Sequence, residues 1–212
     1  MILLETQYLP SIAWCAVVWQ QETVALDAAE HYQKGGLRNR CHIAGPNGPH
    51  RLSIPLAKGK HQQTPIREVR IAYEDPWQRQ HWRSIQSAYG SAPYFEHYAD
   101  ELRSFYEQRW EFLFDYTLDF QTFILKKKLG WSGQFALQQD YFLKGIWTQG
   151  ADLRNQISGG MNEYPDWFSP SRYPQVFEAR TGFLPNLSIL DLLFCCGKTG
   201  REVLAQPLFL PN

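Results

Sequence analysis

Residues 2–27 read ILLETQYLPSIAWCAVVWQQETVALD, in which two short apolar runs enclose a polar break and a longer apolar segment. Ile2 to Glu5 predicts a short buried strand, and Thr23 to Asp27 predicts a second one. Between them, Ser11 can cap a helix that runs to about Gln20. This strand–loop–helix–strand order predicts half of a Rossmann-like unit, with the two strands in one sheet.

The loop between the first strand and the helix is a candidate binding region. In parallel α/β folds, ligands bind beyond the carboxyl ends of the strands, where helix N-termini also lie. Gln7 and Tyr8 belong to this loop. The loop lacks a glycine-rich phosphate fingerprint, so only its position supports the prediction. We therefore expect Gln7 and Tyr8 to contact a substrate at the edge of the sheet.

A hairpin and a group of helices complete the predicted fold. Gly45-Pro46-Asn47-Gly48-Pro49 separates two strand-like segments, residues 39–43 and 51–56, which is typical of a β-hairpin. Alternation of polar and apolar residues predicts a further strand over residues 69–73. Apolar periodicity, with Asp75 and Asn186 as caps, predicts helices over residues 76–89, 93–107, 117–129 and 187–196. The predicted class is α/β, with a Rossmann-like N-terminal βαβ unit, a β-hairpin and a helical layer; α+β is the alternative.

The length of 212 residues predicts a single domain that buries a full core. Residues 144–171 are rich in Gly, Asn, Asp, Pro and Ser, which predicts a weakly ordered or lid-like segment. The chain has 21 Lys and Arg against 21 Asp and Glu, which argues against nucleic acid as a partner. We find neither a signal peptide nor an apolar run that could span a membrane, so we expect a cytoplasmic protein.

The densest polar segment is Tyr32-Gln33-Lys34-Gly35-Gly36-Leu37-Arg38-Asn39-Arg40. Lys34, Arg38 and Arg40, together with Asn39, could form a fork for phosphate or carboxylate, because guanidinium groups suit two-point recognition. The alternative is a solvated connection. If Arg38 begins a strand, Arg38 and Arg40 point to one face and Asn39 to the other. In that case only Lys34 and the arginines of one face can converge.

His81 lies on the apolar stripe of the helix over residues 76–89. It is either a hydrogen-bonded core residue or a general acid or base, since imidazole titrates near neutral pH. Asp191 lies within an apolar helix, where a buried carboxylate needs partners, so we expect it to cap a turn or to pair with a cation.

The four cysteines and six histidines do not suggest a metal site, because no H-E-x-x-H motif occurs and Cys41 and His42 point to opposite strand faces. A cysteine nucleophile needs a thiolate beside a base. Cys41, which is flanked by Arg40 and His42, is a better candidate than Cys15, which lies among apolar helix residues.

Several ordered motifs carry a family resemblance over nearly the full length of the chain. They are Gln7-Tyr8-Leu9-Pro10, Tyr32-Gln33-Lys34, Arg38-Asn39-Arg40, Leu52-Ser53-Ile54-Pro55, His81-Trp82, Ser87-Ala88-Tyr89, Pro93-Tyr94-Phe95 and Pro185-Asn186-Leu187-Ser188-Ile189-Leu190-Asp191-Leu192-Leu193-Phe194. With these motifs the chain resembles the WbqC-like family of bacterial proteins. Two regions depart from the resemblance: Cys195-Cys196-Gly197, where an Asn is expected before the Gly, and residues 131–169, which match poorly.

The resemblance implies a bacterial origin and a link to surface-polysaccharide (O-antigen) biosynthesis, and it carries over no catalytic residue and no cofactor. With the residues above, it supports an enzyme, of transferase type, that acts on a phosphorylated or nucleotide-linked small molecule such as a nucleotide sugar. The predicted catalytic residue is His81. The predicted substrate-binding residues are Gln7, Tyr8, Lys34, Arg38, Asn39 and Arg40. The alternatives are a non-catalytic scaffold of a polysaccharide assembly and a cysteine-dependent acyl transferase or hydrolase.

Overall fold

A computed structural model describes residues 1–57, 64–143, 146–157, 164–208 and 210. Within these residues a parallel sheet contains β1 (Ile2–Leu4), β2 (Thr23–Asp27) and β5 (Gln134–Gln138), in the order β1-β2-β5. Leu26 of β2 pairs with Leu4 on one side and with Leu137 on the other. The predicted βαβ unit is confirmed, since β1 and β2 are adjacent and parallel. The α/β class is confirmed with it.

The remaining described strands form the separate hairpin β3 (Arg40–Ile43) and β4 (His50–Ser53), in which Arg40 pairs with Ser53. The predicted hairpin is therefore confirmed. The predicted strand over residues 69–73 is wrong. Arg70 makes an isolated bridge to Phe112, and Ile71 makes one to Leu56. Because each pairing involves a single residue, residues 69–73 do not form a strand.

The helices surround this sheet and hairpin. They are α1 (Ile12–Trp19), α2 (Trp77–Tyr89), α3 (Phe95–Glu107), α4 (Leu113–Thr122), α5 (Glu178–Thr181), α6 (Ile189–Cys196) and α7 (Arg201–Leu204). α4 begins four residues before its predicted start and continues as a π-helix, Phe123–Leu129. The cap of α6 is Ser188, not the predicted Asn186.

α1 connects β1 to β2 and is buried over almost its full length. Ser11 caps it as predicted, accepting a hydrogen bond from Trp14 N at 3.4 Å. Every residue from Ile12 to Val18 is buried. The reason is that α1 packs between the sheet, where Trp14 meets Phe135, and the C-terminal helices α6 and α7.

The C-terminal helix α6 carries a buried carboxylate. Asp191 is fully buried, and its Oδ2 accepts hydrogen bonds from Tyr173 OH at 2.7 Å and from Gln175 Nε2 at 3.1 Å. The expected turn cap or cation is therefore replaced by a hydroxyl and an amide. Burial raises the pKa of Asp191 to about 6, although these hydrogen bonds lower it.

Two further expectations concern the lid-like segment and a membrane span. Of the predicted lid-like segment over residues 144–171, residues 144–145 and 158–163 lie outside the described part of the chain. Among the described residues, none of the helices has both the length and the apolar composition that a bilayer span requires.

Candidate functional site

A cleft opens at the carboxyl end of the parallel sheet. Its larger cavity has a volume of about 690 Å³ and is lined by residues 30–34, 141–143 and 154–155. Residues 30–34 follow β2 and residues 141–143 follow β5, so neighbouring strands lead into its walls. α/β sheets bind ligands at this edge, and the volume lies within the usual range for small-molecule sites.

A smaller cavity of about 200 Å³ adjoins the first. It is lined by Glu5, residues 33–36, Arg38, Asn155 and Ile157. The two cavities share Gln33, Lys34 and Asn155, and together they are called the cleft below. Because Glu5 directly follows β1, all three strands of the sheet lead into the cleft.

Arg38 and Glu30 form a buried ion pair in the wall of the cleft. Arg38 Nε donates to Glu30 Oε1 at 2.7 Å and Arg38 Nη2 donates to Glu30 Oε2. Burial raises the pKa of Glu30 to about 7; Arg38 opposes this shift, and the carboxylates of Glu5 and Asp27 add to it. The two-point fork that the sequence assigned to a ligand is therefore occupied by Glu30.

A second buried guanidinium connects the sheet to the opposite wall. Arg154 donates to Asp27 Oδ2 at 2.6 Å and to both carboxylate oxygens of Asp152, at 2.9 and 2.7 Å. It also donates to the carbonyl oxygen of Phe142 at 2.9 Å. These bonds fix the segment after β5 against the end of β2. The hydrogen bonds that Arg154 donates to Asp152 and Asp27 raise the pKa of Arg154, so the guanidinium stays charged.

Glu5 is a buried carboxylate held only by neutral groups among the described residues. Its Oε2 accepts from Asn155 N at 2.9 Å, and its Oε1 accepts from Gln7 Nε2 at 3.3 Å. Gln7 in turn accepts at Oε1 from Ser11 N at 3.2 Å. Gln7 therefore joins the cleft residue Glu5 to the cap of α1, and it does not itself line the cleft.

Lys34 is the predicted site residue that the structure leaves available. Its side chain is exposed, lines both cavities of the cleft and has no ion-pair partner among the described residues. The neighbouring Gly35 has a φ of 93°, a backbone conformation that glycine adopts without strain. Lys34 can therefore contact an anionic ligand without first breaking an internal pair.

Asn39 and Arg40 lie outside the lining of the cleft. Asn39 is buried, accepts from Tyr32 OH at 2.9 Å and donates to Ile54 O at 2.9 Å, so it joins the polar loop to the hairpin. Arg40 is half-buried at the start of β3, and its Nε has no acceptor among the described groups.

Tyr8 and His81 belong to a buried network beside the hairpin. Tyr8 OH lies 3.0 Å from His81 Nδ1 and 2.9 Å from Tyr106 OH. Burial lowers the pKa of His81 to about 4, against a hydrogen bond to the backbone of Ser53. A neutral His81 that accepts from Tyr8 and donates to Ser53 satisfies both ring nitrogens. Neither Tyr8 nor His81 lines the cleft that contains Lys34.

Neither a cysteine nucleophile nor a metal site is supported among the described residues. Cys15 and Cys41 are buried, and burial raises the pKa of both thiols, whereas a cysteine nucleophile needs an accessible thiolate. Among the described residues, no group of three or more His, Cys, Asp or Glu side chains could hold a metal ion.

The sequence analysis did not identify Glu5, Glu30, Arg154 and Tyr141 as cleft residues. Glu5 carried a usable signal, since it is an acidic residue that directly ends an apolar strand. Arg154 and Tyr141 carried none, because they are far from the other cleft residues in sequence and meet them only once β5 has joined the sheet.

The fold defines an α/β protein with a cleft at the carboxyl end of its parallel sheet. Comparison with known sequences identifies its family. The model of the WbqC-like protein family matches residues 6–149. The chain belongs to this family. A relative, the uncharacterised protein Rv1507c of Mycobacterium tuberculosis, is 27% identical over 224 residues, covering 95% of this chain and 96% of its own. No solved structure matches the chain with statistical significance.

Proposed function

We propose that this member of the WbqC-like family is a cytoplasmic enzyme of surface-polysaccharide biosynthesis that binds a phosphorylated or nucleotide-linked small molecule and transfers a group to or from it. The observation that carries the proposal is the cleft at the carboxyl end of the parallel sheet, in which Lys34 lines both cavities and has no internal partner among the described residues. Ligand sites of α/β proteins occur at this edge.

The charges in the cleft support Lys34 as the residue that contacts the anion. Arg38 is held by Glu30, and Arg154 is held by Asp27 and Asp152, so neither guanidinium has its charge available for a ligand. Among the described residues that line the cleft, Lys34 remains as the cation that a phosphate can reach. In this proposal Arg38 acts on the ligand indirectly, by fixing the loop that carries Lys34.

An aromatic surface supports a sugar or nucleoside as the rest of the ligand. The rings of His31 and Tyr141 lie 5.2 Å apart at the mouth of the larger cavity, and Tyr141 is 53% exposed. Exposed aromatic faces stack on bases and on the apolar faces of sugars. A ligand that stacks on Tyr141 can place a phosphate at Lys34.

The other predicted site residues take supporting positions in this proposal. Gln7, Tyr8 and Asn39 would hold the cleft wall and the hairpin in place through the hydrogen bonds described above. The assignment of proton transfer to His81 stays a prediction, and a contribution of Arg40 to ligand binding stays one too. Loss of turnover in a folded His81→Gln protein, with unchanged ligand binding, would support the catalytic role.

A scaffold function is the second candidate, favoured by one observation. Tyr141, Leu143 and Ile146 are each more than half exposed and lie close together in sequence beside the cleft. Apolar side chains clustered in this way mark contact surfaces for proteins as well as for ligands. A scaffold would need this surface and would not need Lys34.

The test is a thermal-shift screen of the purified protein against nucleotides, nucleotide sugars and simple phosphates. A ligand at ~100 times its dissociation constant should stabilise the protein by about 2.7 kcal/mol. The shift should disappear in Lys34→Ala and remain in Lys198→Ala, which removes an exposed lysine that does not line the cleft. A screen without any shift would favour the scaffold, and a shift that survives in Lys34→Ala would contradict the contact between the anion and Lys34.

A further inference from the structure

The smaller cavity of the cleft is lined by a buried carboxylate, Glu5, whose hydrogen-bond donors among the described residues are uncharged. Glu5 and Arg38 line it directly, and Glu30 lies behind Arg38 as its ion-pair partner. Glu5 is 2% exposed and Glu30 is 3% exposed, so both carboxylates are shielded from water. Arg38 Nε and Nη2 donate to Glu30, whereas Glu5 has no hydrogen bond to a cation among the described residues. A buried carboxylate without a cation is costly.

Glu5 lines the smaller cavity and has spare capacity as a hydrogen-bond acceptor. A carboxylate offers about four acceptor positions. Among the described residues, Glu5 uses two of them, for Asn155 N and for the amide of Gln7, and neither donor is charged. A donor that enters the smaller cavity can therefore reach Glu5 without displacing an existing bond.

We propose that the small molecule bound in the cleft carries a protonated amine, which binds Glu5 in the smaller cavity while the anionic group of the same molecule contacts Lys34. This inference rests on the proposed function and narrows its ligand to an amino compound, such as an amino sugar that bears a phosphate. The ammonium group would give Glu5 a positively charged partner together with up to three hydrogen-bond donors. A metal ion is a poor substitute, since the described residues offer no group of three ligating side chains.

The geometry allows both contacts at once. Lys34 lines both cavities, whereas Glu5 lines only the smaller one, so an anion at Lys34 and an amine at Glu5 occupy neighbouring positions. The stacking surface at Tyr141 belongs to the larger cavity. A ligand with an amine at one end and a phosphate or nucleotide further along fits this order.

The experiment compares three probes on the unmodified protein by isothermal titration calorimetry at about pH 7: glucosamine 6-phosphate, glucose 6-phosphate and N-acetylglucosamine 6-phosphate. The three differ in the group at one carbon, which is an amine, a hydroxyl or an acylated amine. We expect glucosamine 6-phosphate to bind at least about tenfold more tightly than either analogue, because a charge-assisted hydrogen bond is about twice as strong as a neutral one. Equal binding of the three, or no binding of glucosamine 6-phosphate, would overturn the inference.

Variants locate the effect. Glu5→Gln keeps an acceptor for Asn155 N and removes the charge, so the preference for the amine should disappear while binding of glucose 6-phosphate persists. Glu96→Gln removes an exposed carboxylate on α3 and should keep the preference. Persistence of the preference in a folded Glu5→Gln protein contradicts the assignment to Glu5. If Glu5→Gln does not fold, the comparison of the three probes on the unmodified protein still tests whether the cleft prefers an amine.

Failure of the inference can be told apart from failure of the proposed function. If phosphates and nucleotides bind in a Lys34-dependent way without preferring the amine, the cleft is a ligand site and only the amine is wrong. That result would mean that Lys34, which shares the cavity, neutralises Glu5. If no probe binds and the wider screen is also empty, both are wrong.

Discussion

Arg38 donates two hydrogen bonds to the carboxylate of Glu30, and the two side chains are 1% and 5% exposed. Removing one member of such a pair leaves a buried charge without a partner, which typically costs about 3–5 kcal/mol. We expect Arg38→Ala to lower the free energy of unfolding by this amount. Urea denaturation followed by circular dichroism measures it.

A surface pair provides the matched control for Arg38. Arg103 and Glu107 form an ion pair on α3, and both side chains are more than half exposed. Arg103→Ala should therefore cost less than about 1 kcal/mol. The double variant Glu30→Gln/Arg38→Met should recover part of the loss, because it removes both charges. Equal effects at the two sites would show that the buried pair does not stabilise the fold.

His81 should make the stability depend on pH. Burial lowers its pKa from 6.5 to about 4, so between these values the unfolded chain binds a proton that the folded protein does not. The stability that a neutral His81 contributes is complete above about pH 6.5 and is lost as the pH falls towards 4. The shift corresponds to about 3 kcal/mol. Denaturation curves over this pH range measure it.

The variant His81→Gln isolates that contribution, since the amide does not titrate and can still accept from Tyr8. We expect the stability difference between the unmodified protein and His81→Gln to shrink as the pH falls from 6.5 to 4. His97→Gln, at an exposed position on α3, should retain the profile of the unmodified protein. A constant difference between the unmodified protein and His81→Gln across this range would mean that His81 is solvated.

Asp191 should make the stability fall as the pH rises, which is the opposite of the effect of His81. Burial raises its pKa from 3.8 to about 6, so between these values the folded protein holds a proton that the unfolded chain has released. Stability that is present below about pH 4 is therefore lost as the pH rises towards 6, by about 3 kcal/mol. Relative to the unmodified protein, the Asp191→Asn variant should become more stable as the pH rises over this range. A difference that does not change with pH would contradict the shift.

The sequence predicted those parts of the fold whose signals are local. The βαβ unit follows from two apolar runs and the Ser11 cap, and the hairpin follows from the turn residues around Asn47 and Gly48. Asn186 shows where local signals fail. It has a φ of 55° and accepts a hydrogen bond from Ala13 N, 173 positions earlier, so a tertiary contact takes the side chain that the sequence assigned to capping.

The candidate site shows the same limit. Lys34 lies in the cleft as its polar neighbourhood suggested, whereas the partner of Arg38 depends on how the chain folds back over Glu30. Tyr8 and His81 are hydrogen-bonded to each other in the core, and their roles in substrate binding and proton transfer stay predictions. The strand β5 brings residues 141–143 to the cleft, and no local pattern announced that strand.

Arg154 connects the segment that follows β5 to the end of β2 through its hydrogen bonds. Its removal should therefore loosen one wall of the cleft. Its guanidinium is the donor that Asp27, Asp152 and the carbonyl oxygen of Phe142 share. We expect Arg154→Ala to reduce the free energy of unfolding by about 3 kcal/mol, since the buried Asp27 and the partly buried Asp152 lose their cation. Amide hydrogen exchange should also accelerate in residues 139–143 and stay unchanged in α2.

The control for Arg154 is Arg172→Ala, which breaks an ion pair with Glu178 in which Arg172 is 72% exposed. This change should cost less than about 1 kcal/mol and leave exchange in residues 139–143 unchanged. Arg154→Lys keeps the charge, but one ammonium group cannot reach all three acceptors. We therefore expect this variant to restore most of the free energy of unfolding but less of the protection of residues 139–143 from hydrogen exchange. If Arg154→Ala unfolds the protein uniformly, with no local effect on these residues, Arg154 stabilises the fold as a whole and does not position the cleft wall.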